Sequence, residues 1–190
     1  KTLKQISTGK KENKFGVDEK TFINLVNYSK LSKNINLKCL SVHIGSQILD
    51  YKPYEKMLKV IDKIIKKSNH KFEFIDLGGG MGISYEMNNK KLNYQKYNIA
   101  IKKLLKNHKS KIIFEPGRSI VGNIGALISK VIYIKENDKK DFIILDAAMN
   151  DLMRPALYGA NHKTLPGIKT NQTSKKVYEF VGPVCESTDK

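Results

Sequence analysis

Three short polar motifs could carry chemistry, and each directly follows a short apolar run that reads as a β-strand. They are HIGSQ at 43–47, GGG at 78–80 and EPGR at 115–118. The carboxyl ends of parallel strands lie at one edge of a sheet or barrel, where such folds build their sites. Parallel strands would therefore bring the three motifs together. The candidate residues are His43, Ser46, Gly78, Gly79, Gly80, Glu115, Gly117 and Arg118.

These side chains suit a ligand that carries a phosphate and a flat ring. Consecutive glycines let several backbone N–H groups approach an oxyanion, although a plain tight turn explains Gly78–Gly80 equally well. Arg118 adds a permanent cation, and Ser46 adds a hydroxyl donor. His43 could stack on a ring or exchange a proton, or it could be an ordinary histidine at a strand end. Glu115 could hold a proton on a ring nitrogen or be a surface carboxylate.

Two further polar motifs lie in the second half of the chain. DAAMNDLMRPALY spans 146–158, and GPVCESTDK spans 182–190. In the second motif, Cys185 and Glu186 place a thiol and a carboxylate side by side on a predicted turn. A buried structural cysteine is the alternative interpretation of Cys185.

The strongly basic composition suggests a nucleic-acid ligand at first sight. The chain has 190 residues and a formal net charge of +17, but only two of its 35 basic residues are arginine, Arg118 and Arg154. The lysines are scattered over predicted helix faces, which is typical of a solvated surface. RNA binding stays as an alternative, since a diffuse positive field attracts polyanions weakly. Both arginines fall inside the polar motifs, where a guanidinium can hold a carboxylate in a bidentate fork.

Composition also bounds the class of protein. The apolar content of 40% is that of a globular chain, and no stretch reaches the roughly 18–20 apolar residues of a membrane span. The start of the sequence lacks the apolar region of a secretory signal, so we expect a cytoplasmic protein. Cys39 and Cys185 are too few for a disulfide framework, and no Cys or His spacing indicates a metal site.

The apolar pattern predicts helices that alternate with short strands up to about residue 124. Helices are expected from Asp18 to about Leu31, from Pro53 to about Lys67 and from Tyr94 to His108. Strands are expected at 37–43, 72–77 and 111–115. Leu25 and Val60 fall on the apolar faces of the first two helices. The alternation predicts an α/β region with a parallel sheet.

From residue 125 onward the pattern changes to strand-like runs. They lie at 126–136, 139–148 and 177–182, around a loop-rich stretch at 149–175. This pattern predicts a β-rich antiparallel region, with the boundary near residue 124. Three strand–helix units are too few for a closed eightfold barrel, and an open three-stranded sheet would leave bare edges. We therefore expect the chain to be a fragment of a longer protein.

Taken in order, the motifs resemble those of the diaminopimelate decarboxylases, enzymes that use pyridoxal 5'-phosphate. The matching segments are STGKKENKFG (7–16), HIGSQI (43–48), DLGGGMGISY (76–85), EPGRSIVGNIG (115–125), DAAMNDLMRPALY (146–158) and GPVCESTD (182–189). The last two resemble this branch specifically, whereas the others are also similar to motifs of ornithine and arginine decarboxylases. The resemblance implies that 1–124 is the C-terminal portion of an alanine-racemase-like (β/α)8 barrel. Residues 125–190 would be part of an incomplete C-terminal β-sandwich or β-barrel domain.

The resemblance also implies the reaction, which is decarboxylation of meso-2,6-diaminopimelate to L-lysine, the last step of lysine biosynthesis. It implies that His43 stacks on the cofactor as a catalytic residue and that Glu115 pairs with the pyridine nitrogen. The residues implied around the phosphate are Ser46, Gly78, Gly79, Gly80, Gly117 and Arg118.

The same resemblance assigns the substrate contacts to Arg118, Arg154, Tyr158 and Glu186, and the proton donor to Cys185. It implies a homodimer in which Cys185 and Glu186 complete the site of the partner subunit.

Two features of that family are not recognisable in this sequence. They are the Schiff-base lysine, found in a motif like YAxKAN, and a downstream tyrosine that contacts the phosphate. We therefore expect this 190-residue piece to have no decarboxylase activity by itself. The first alternative is a related decarboxylase acting on ornithine, arginine or a polyamine precursor, and the second is a basic RNA-binding protein.

Overall fold

The computed structural model describes residues 14–85, 90–169 and 176–190, which form two compact units. Unit 1 comprises 14–84 and 90–124, and unit 2 comprises Tyr85, 125–169 and 176–190. The division after residue 124 falls where the apolar pattern changes. That the units are parts of a barrel and of a β domain stays a prediction. Residues 7–13 of the first matching segment and 170–175 of the predicted loop-rich stretch lie outside the described residues.

Unit 1 contains three longer helices, three short strands and one helical turn. In chain order they are α1 (Glu19–Leu31), β1 (Cys39–Ser41), α2 (Lys52–Ser68), β2 (Phe74–Asp76), α3 (Tyr94–Asn107), β3 (Lys111–Ile113) and α4 (Arg118–Val121). Strands β1, β2 and β3 form a parallel sheet in that order, which confirms the predicted parallel arrangement. The strands are shorter than the predicted runs at 37–43, 72–77 and 111–115.

Local sequence explains where the helices begin. The Asp18 carboxylate accepts a hydrogen bond from the Thr21 N–H at 2.8 Å, and Asn93 caps α3 through the Lys96 N–H at 2.9 Å. Such side chains satisfy N–H groups that have no partner inside the helix. Helix α2 has Pro53 in its first turn, where a missing N–H costs nothing.

The core of unit 1 lies between the sheet and the three longer helices. Tyr54 and Ile61 of α2, Ile75 of β2 and Val26 of α1 are almost fully buried. Leu25 and Val60, which were predicted on the apolar faces of α1 and α2, are 51% and 54% exposed. The helical spacing places both residues beside the apolar stripe, but the tertiary packing does not cover them.

Unit 2 is built on a mixed three-stranded sheet. Its elements are β4 (Val131–Lys135), β5 (Asp141–Leu145), α5 (Arg154–Tyr158) and β6 (Tyr178–Val181). Strands β4 and β5 are antiparallel, but β5 and β6 are parallel. The predicted all-antiparallel arrangement is therefore wrong for β6. Residues 146–177 connect β5 to β6, which exceeds the dozen or so residues that a parallel crossover needs.

Within the described ranges, none of the helices combines the length and apolar character that a membrane-crossing segment requires. Over the same residues no group of His, Cys, Asp and Glu side chains is arranged to hold a metal ion. Cys39 and Cys185 are both free thiols.

Candidate active site

The three polar motifs of unit 1 meet at the carboxyl edge of the parallel sheet. The Glu115 N–H donates to the Gly78 carbonyl at 2.9 Å, and the Ile48 N–H donates to the Gly80 carbonyl at 2.9 Å. The glycine segment after β2 is thus hydrogen-bonded to the motif after β1 on one side and to the motif after β3 on the other. This is the juxtaposition that parallel strands predict.

Close backbone packing explains why this segment is glycine. A Cβ on Gly79 would lie 2.1 Å from the Glu115 carbonyl oxygen, and a Cβ on Gly80 would lie 2.2 Å from the Gly45 carbonyl oxygen. Gly80 also has a φ of +87°, a conformation that side chains disfavour. The glycines are therefore required by the packing of the sheet edge itself. A role beside a phosphate is additional to that requirement and stays a prediction.

His43 lies directly against the glycine segment and is exposed on its other side. The Gly79 N–H points to His43 Nδ1, with a long N–N distance of 3.5 Å. A Cβ on Gly78 would lie 2.9 Å from the same Nδ1 atom. The imidazole therefore packs against backbone and leaves one face for a neighbouring molecule.

Arg118 is held in place by Gln47. Arg118 Nη1 donates to Gln47 Oε1 at 2.9 Å, and the same oxygen accepts from the Ile83 N–H at 3.3 Å. The Gln47 amide nitrogen donates to the Ile83 carbonyl. Gln47 has a φ of +61°, which a side chain anchored at both ends can maintain. The guanidinium is therefore fixed at the sheet edge by hydrogen bonds that begin in the HIGSQ motif.

Several polar groups at this edge are available to a ligand. Within the described ranges, neither the Gly80 N–H nor the Ser46 hydroxyl has a hydrogen-bond partner in the protein. Glu115 and Gly117 are exposed, and a Cβ built on Gly117 would meet no atom within 4 Å. The edge therefore offers N–H and O–H donors and open space beside a cation.

The polar residues of unit 2 lie on loops and on the short helix α5. The Arg154 guanidinium carbon lies 5.7 Å from the centre of the Tyr85 ring and 5.6 Å from the centre of the Tyr158 ring. Arg154 Nε is buried and has no hydrogen-bond acceptor among the described residues. Two aromatic rings thus orient the guanidinium and leave its hydrogen-bonding capacity for another partner. His162 supports the arrangement from the edge of the Tyr85 ring, at 5.5 Å between ring centres.

Cys185 and Glu186 lie on an exposed turn after β6. The alternative of a buried structural cysteine is wrong for Cys185. The Glu186 N–H donates to the Val184 carbonyl at 2.8 Å, and Glu186 Oε1 accepts from the Ser187 N–H at 3.0 Å. By contrast, Cys39 is partly buried, and this burial raises the pKa of its thiol. Only the thiol in the polar motif is presented at the surface of its unit.

Residues 1–122 match the family described as pyridoxal-dependent decarboxylase, pyridoxal binding domain. The chain belongs to the pyridoxal-dependent decarboxylases. This match and the relatives described next confirm the motif resemblance, whereas the roles of individual residues stay predictions.

Members of this family named diaminopimelate decarboxylase resemble the chain over its whole length. The chain is 42% identical to the one from Aquifex aeolicus, over 100% of this chain and 46% of the relative. It is also 42% identical to the one from Zymomonas mobilis, over 99% of this chain and 45% of the relative. The crystal structure of the Helicobacter pylori enzyme complexed with L-lysine has a TM-score of 0.87 at 41% identity, over 100% of this chain and 47% of that one. The chain thus spans about half the length of the curated relatives it matches.

Sequence reasoning missed three residues that position the polar motifs of this candidate site. Gln47 stands inside the HIGSQ motif and could have been nominated from it. Asp76, which immediately precedes the glycines, accepts the Gly78 N–H at 2.8 Å and the Ser41 hydroxyl at 3.1 Å. The buried Tyr54 hydroxyl donates to the Gly79 carbonyl at 3.2 Å, and nothing in the local sequence of α2 signals that contact.

Proposed function

We propose that the chain is part of an enzyme that decarboxylates meso-2,6-diaminopimelate to L-lysine with pyridoxal 5'-phosphate. The observation that carries the proposal is the match to diaminopimelate decarboxylases over essentially the whole chain, at up to 42% identity. In the same proposal, residues 1–124 are the C-terminal portion of the cofactor-binding (β/α)8 barrel. Residues 125–190 are then part of a C-terminal β domain.

The sheet edge of unit 1 fits the cofactor. A phosphate needs several donors on one side, and the Gly80 N–H and Ser46 hydroxyl have no partner among the residues that the structure describes. The open space beside Gly117 leaves room for phosphate oxygens, and Arg118 supplies positive charge next to it. His43 offers a flat ring face for stacking, and the exposed Glu115 carboxylate can pair with a ring nitrogen.

When bound, pyridoxal phosphate supplies the electron sink that accepts the electron pair left by the departing CO₂. Glu115 keeps a proton on the ring nitrogen, because a carboxylate beside it favours the charged ring form. His43 holds the ring in place through its exposed face. In this proposal Cys185 delivers the proton to the carbon atom that has lost CO₂.

The other end of diaminopimelate is a zwitterion that the remaining residues can recognise. The Nε atom of Arg154 is buried, and its guanidinium is held by the rings of Tyr85 and Tyr158. Because the side chain is already ordered, it can bind the distal carboxylate with little further loss of conformational entropy. Glu186 can bind the distal ammonium group, and Arg118 can support the carboxylate. We further propose a homodimer in which Cys185 and Glu186 complete the site of the partner subunit.

Activity of the full-length protein tests this function. The purified protein is saturated with pyridoxal phosphate and supplied separately with meso-diaminopimelate, ornithine and arginine, and CO₂ release is measured together with the amine product. We expect lysine from diaminopimelate, with a kcat/KM at least about 100-fold above that for ornithine or arginine, because only diaminopimelate supplies a distal carboxylate. Preference for ornithine or arginine would contradict the proposal and favour the related decarboxylases.

A further inference from the structure

A buried carboxylate belongs to the same turn as the thiol and carboxylate of Cys185 and Glu186. Asp189 is only 5% exposed. Its Oδ1 accepts the Met149 N–H at 2.6 Å, and its Oδ2 accepts the Val184 N–H at 2.8 Å. A buried carboxylate with both oxygens engaged by N–H groups is a strong local anchor, since charge-assisted hydrogen bonds are the stronger ones.

The two hydrogen bonds join segments that are far apart in the sequence. Val184 is the residue immediately before Cys185, and Met149 lies in the loop that follows β5. The backbone of Asp189 also closes the turn, because its N–H donates to the Glu186 carbonyl at 3.1 Å. The Asp189 side chain is therefore the group that ties the turn carrying Cys185 to the loop after β5.

Gly182, at the start of the turn, gives an independent indication that the space around Asp189 is shaped for it. A Cβ on Gly182 would lie 2.5 Å from Asp189 Oδ2 and 2.8 Å from the Ala147 carbonyl oxygen. The Gly182 N–H in turn donates to the Asp189 carbonyl at 3.2 Å. Any side chain at position 182 would displace the carboxylate from its two N–H partners.

We propose that Asp189 is a positioning residue that fixes the conformation of the turn carrying Cys185 and Glu186. It acts through these two residues and does not itself contact the substrate. The inference rests on the proposed function only in that Cys185 and Glu186 serve the reaction. The anchoring of the turn is a property that can be measured apart from activity.

The experiment compares Asp189→Asn with Asp151→Asn in the full-length protein loaded with pyridoxal phosphate. Asparagine retains the size of the side chain but has one acceptor oxygen in place of two. Asp151 is a matched control because its Oδ2 accepts the N–H of Ala148, next to Met149, at 2.9 Å. Among the described residues, the other hydrogen-bond partner of its carboxylate is Asn150.

The first measurement is the rate at which iodoacetamide alkylates Cys185, followed by peptide mass spectrometry with Cys39 as internal reference. We expect Asp189→Asn to change the Cys185 rate at least threefold and to leave the Cys39 rate unchanged. Asp151→Asn should change neither rate. Equal Cys185 rates in the wild type and in Asp189→Asn would overturn the proposal.

The second measurement is kcat, in a double-mutant cycle that combines Asp189→Asn with Cys185→Ala. Asp189→Asn alone should lower kcat by about 10- to 100-fold, because small displacements of a reacting group are costly. In the Cys185→Ala background the same change should lower kcat by no more than about twofold, since the proton donor that it positions is gone and displacement of Glu186, which binds the distal ammonium group, should raise KM instead. A full additional loss in that background would overturn the proposal.

If Asp189→Asn does not fold, as judged by circular dichroism and cofactor content, the same measurements are made on Asp189→Glu, which retains the charge. An unchanged Cys185 alkylation rate in that variant overturns the proposal. A failure of the proposed function would give a different result. The wild-type protein would then release no lysine from diaminopimelate, whereas substitution of Asp189 could still change the alkylation rate of Cys185.

Discussion

The two units present their polar residues in different ways. In unit 1 the backbone does the positioning, because β1, β2 and β3 pair in register and the glycines after β2 pack directly on neighbouring carbonyls. In unit 2 the polar residues lie on loops and a short helix, where side chains such as Asp189 and Tyr85 hold them. Substitutions at the unit 1 edge should therefore damage the fold, whereas those in unit 2 should change function with the fold intact.

Gly79→Ala should have the largest effect. Its Cβ would meet the Glu115 carbonyl oxygen at 2.1 Å, and the Glu115 N–H is hydrogen-bonded to the neighbouring Gly78 carbonyl, so relief of the clash would strain this bond. We expect the free energy of unfolding of the full-length protein to fall by about 3 kcal/mol, measured by urea denaturation. Gly117→Ala is the control, because its Cβ meets no atom within 4 Å. If the two variants are equally stable, close backbone packing at Gly79 does not determine the stability of this sheet edge.

Arg154→Ala tests whether a substitution in unit 2 changes function and leaves the fold intact. The loss of the guanidinium should lower kcat/KM for diaminopimelate by roughly 10- to 150-fold, equivalent to about 1.5–3 kcal/mol for a charge-assisted pair. Urea denaturation should show little change in stability. Lys163→Ala, which removes an exposed cation from the same unit, should leave both quantities unchanged. An equal loss of kcat/KM for ornithine would contradict the role of Arg154 in recognising the distal carboxylate.

Tyr54→Phe should have a smaller effect on the stability of unit 1. It removes a hydrogen bond and leaves the packing of the aromatic ring unchanged. Burial raises the pKa of the Tyr54 hydroxyl, which therefore stays protonated and donates to the Gly79 carbonyl. Its removal should lower the free energy of unfolding by about 1 kcal/mol, because that carbonyl loses its partner.

Tyr97→Phe is the matched control for Tyr54→Phe. The two rings are in contact at 4.5 Å between centres, but the buried Tyr97 hydroxyl has no hydrogen-bond partner among the described residues. Its removal should therefore cost no stability in the same urea denaturation experiment. If the two variants lose the same stability, the hydrogen bond to Gly79 does not support the edge.

Asp62→Asn should have the smallest effect, and one that depends on pH. A hydrogen bond from Lys66, followed by those from His108 and Asn107, holds the pKa of the Asp62 carboxyl below its ordinary value of 3.8. Because the pKa is lowered in the folded state, the stabilisation is present above pH 3.8 and is lost as the pH falls through the folded-state pKa.

The difference in thermal midpoint between the wild type and Asp62→Asn should therefore be full above about pH 5 and shrink as the pH falls below 3.8. Asp50→Asn, which removes a carboxylate that accepts the Lys52 N–H before α2, is the control. A difference that grew on acidification would contradict the assignment of the lowered pKa to Asp62.

Much of unit 1 was predictable because its determinants are local or periodic. Asp18, Pro53 and the apolar spacing of α2 mark helices that the structure confirms. Alternation with short apolar runs predicted the parallel sheet, and hence that three motifs would share one edge. The exposure of Leu25 and Val60 was not predictable, because it depends on how much of each helix the neighbouring elements cover.

The direction of β6 escaped prediction for a related reason. A strand of four residues carries no pattern that indicates its direction, so only the way it pairs with a neighbouring strand decides whether the pairing is parallel. Similarly, helix α4 begins inside the EPGR motif, for which no helix was predicted, and helix α5 lies in the stretch that was predicted to be loop-rich.

The sequence by itself determined the alternation of helices and strands, the order of the motifs and the two positions at which arginine is used. These features follow from residue types and short spacings, because local conformational preference and helix capping depend only on neighbouring residues. Only the tertiary structure decided that Tyr54 supports Gly79, that Gln47 holds Arg118 and that Asp189 joins Val184 to Met149. Such contacts link residues 25 to 71 positions apart, except for the bond between Asp189 and Val184 within one turn. They depend on packing geometry, which no local pattern encodes.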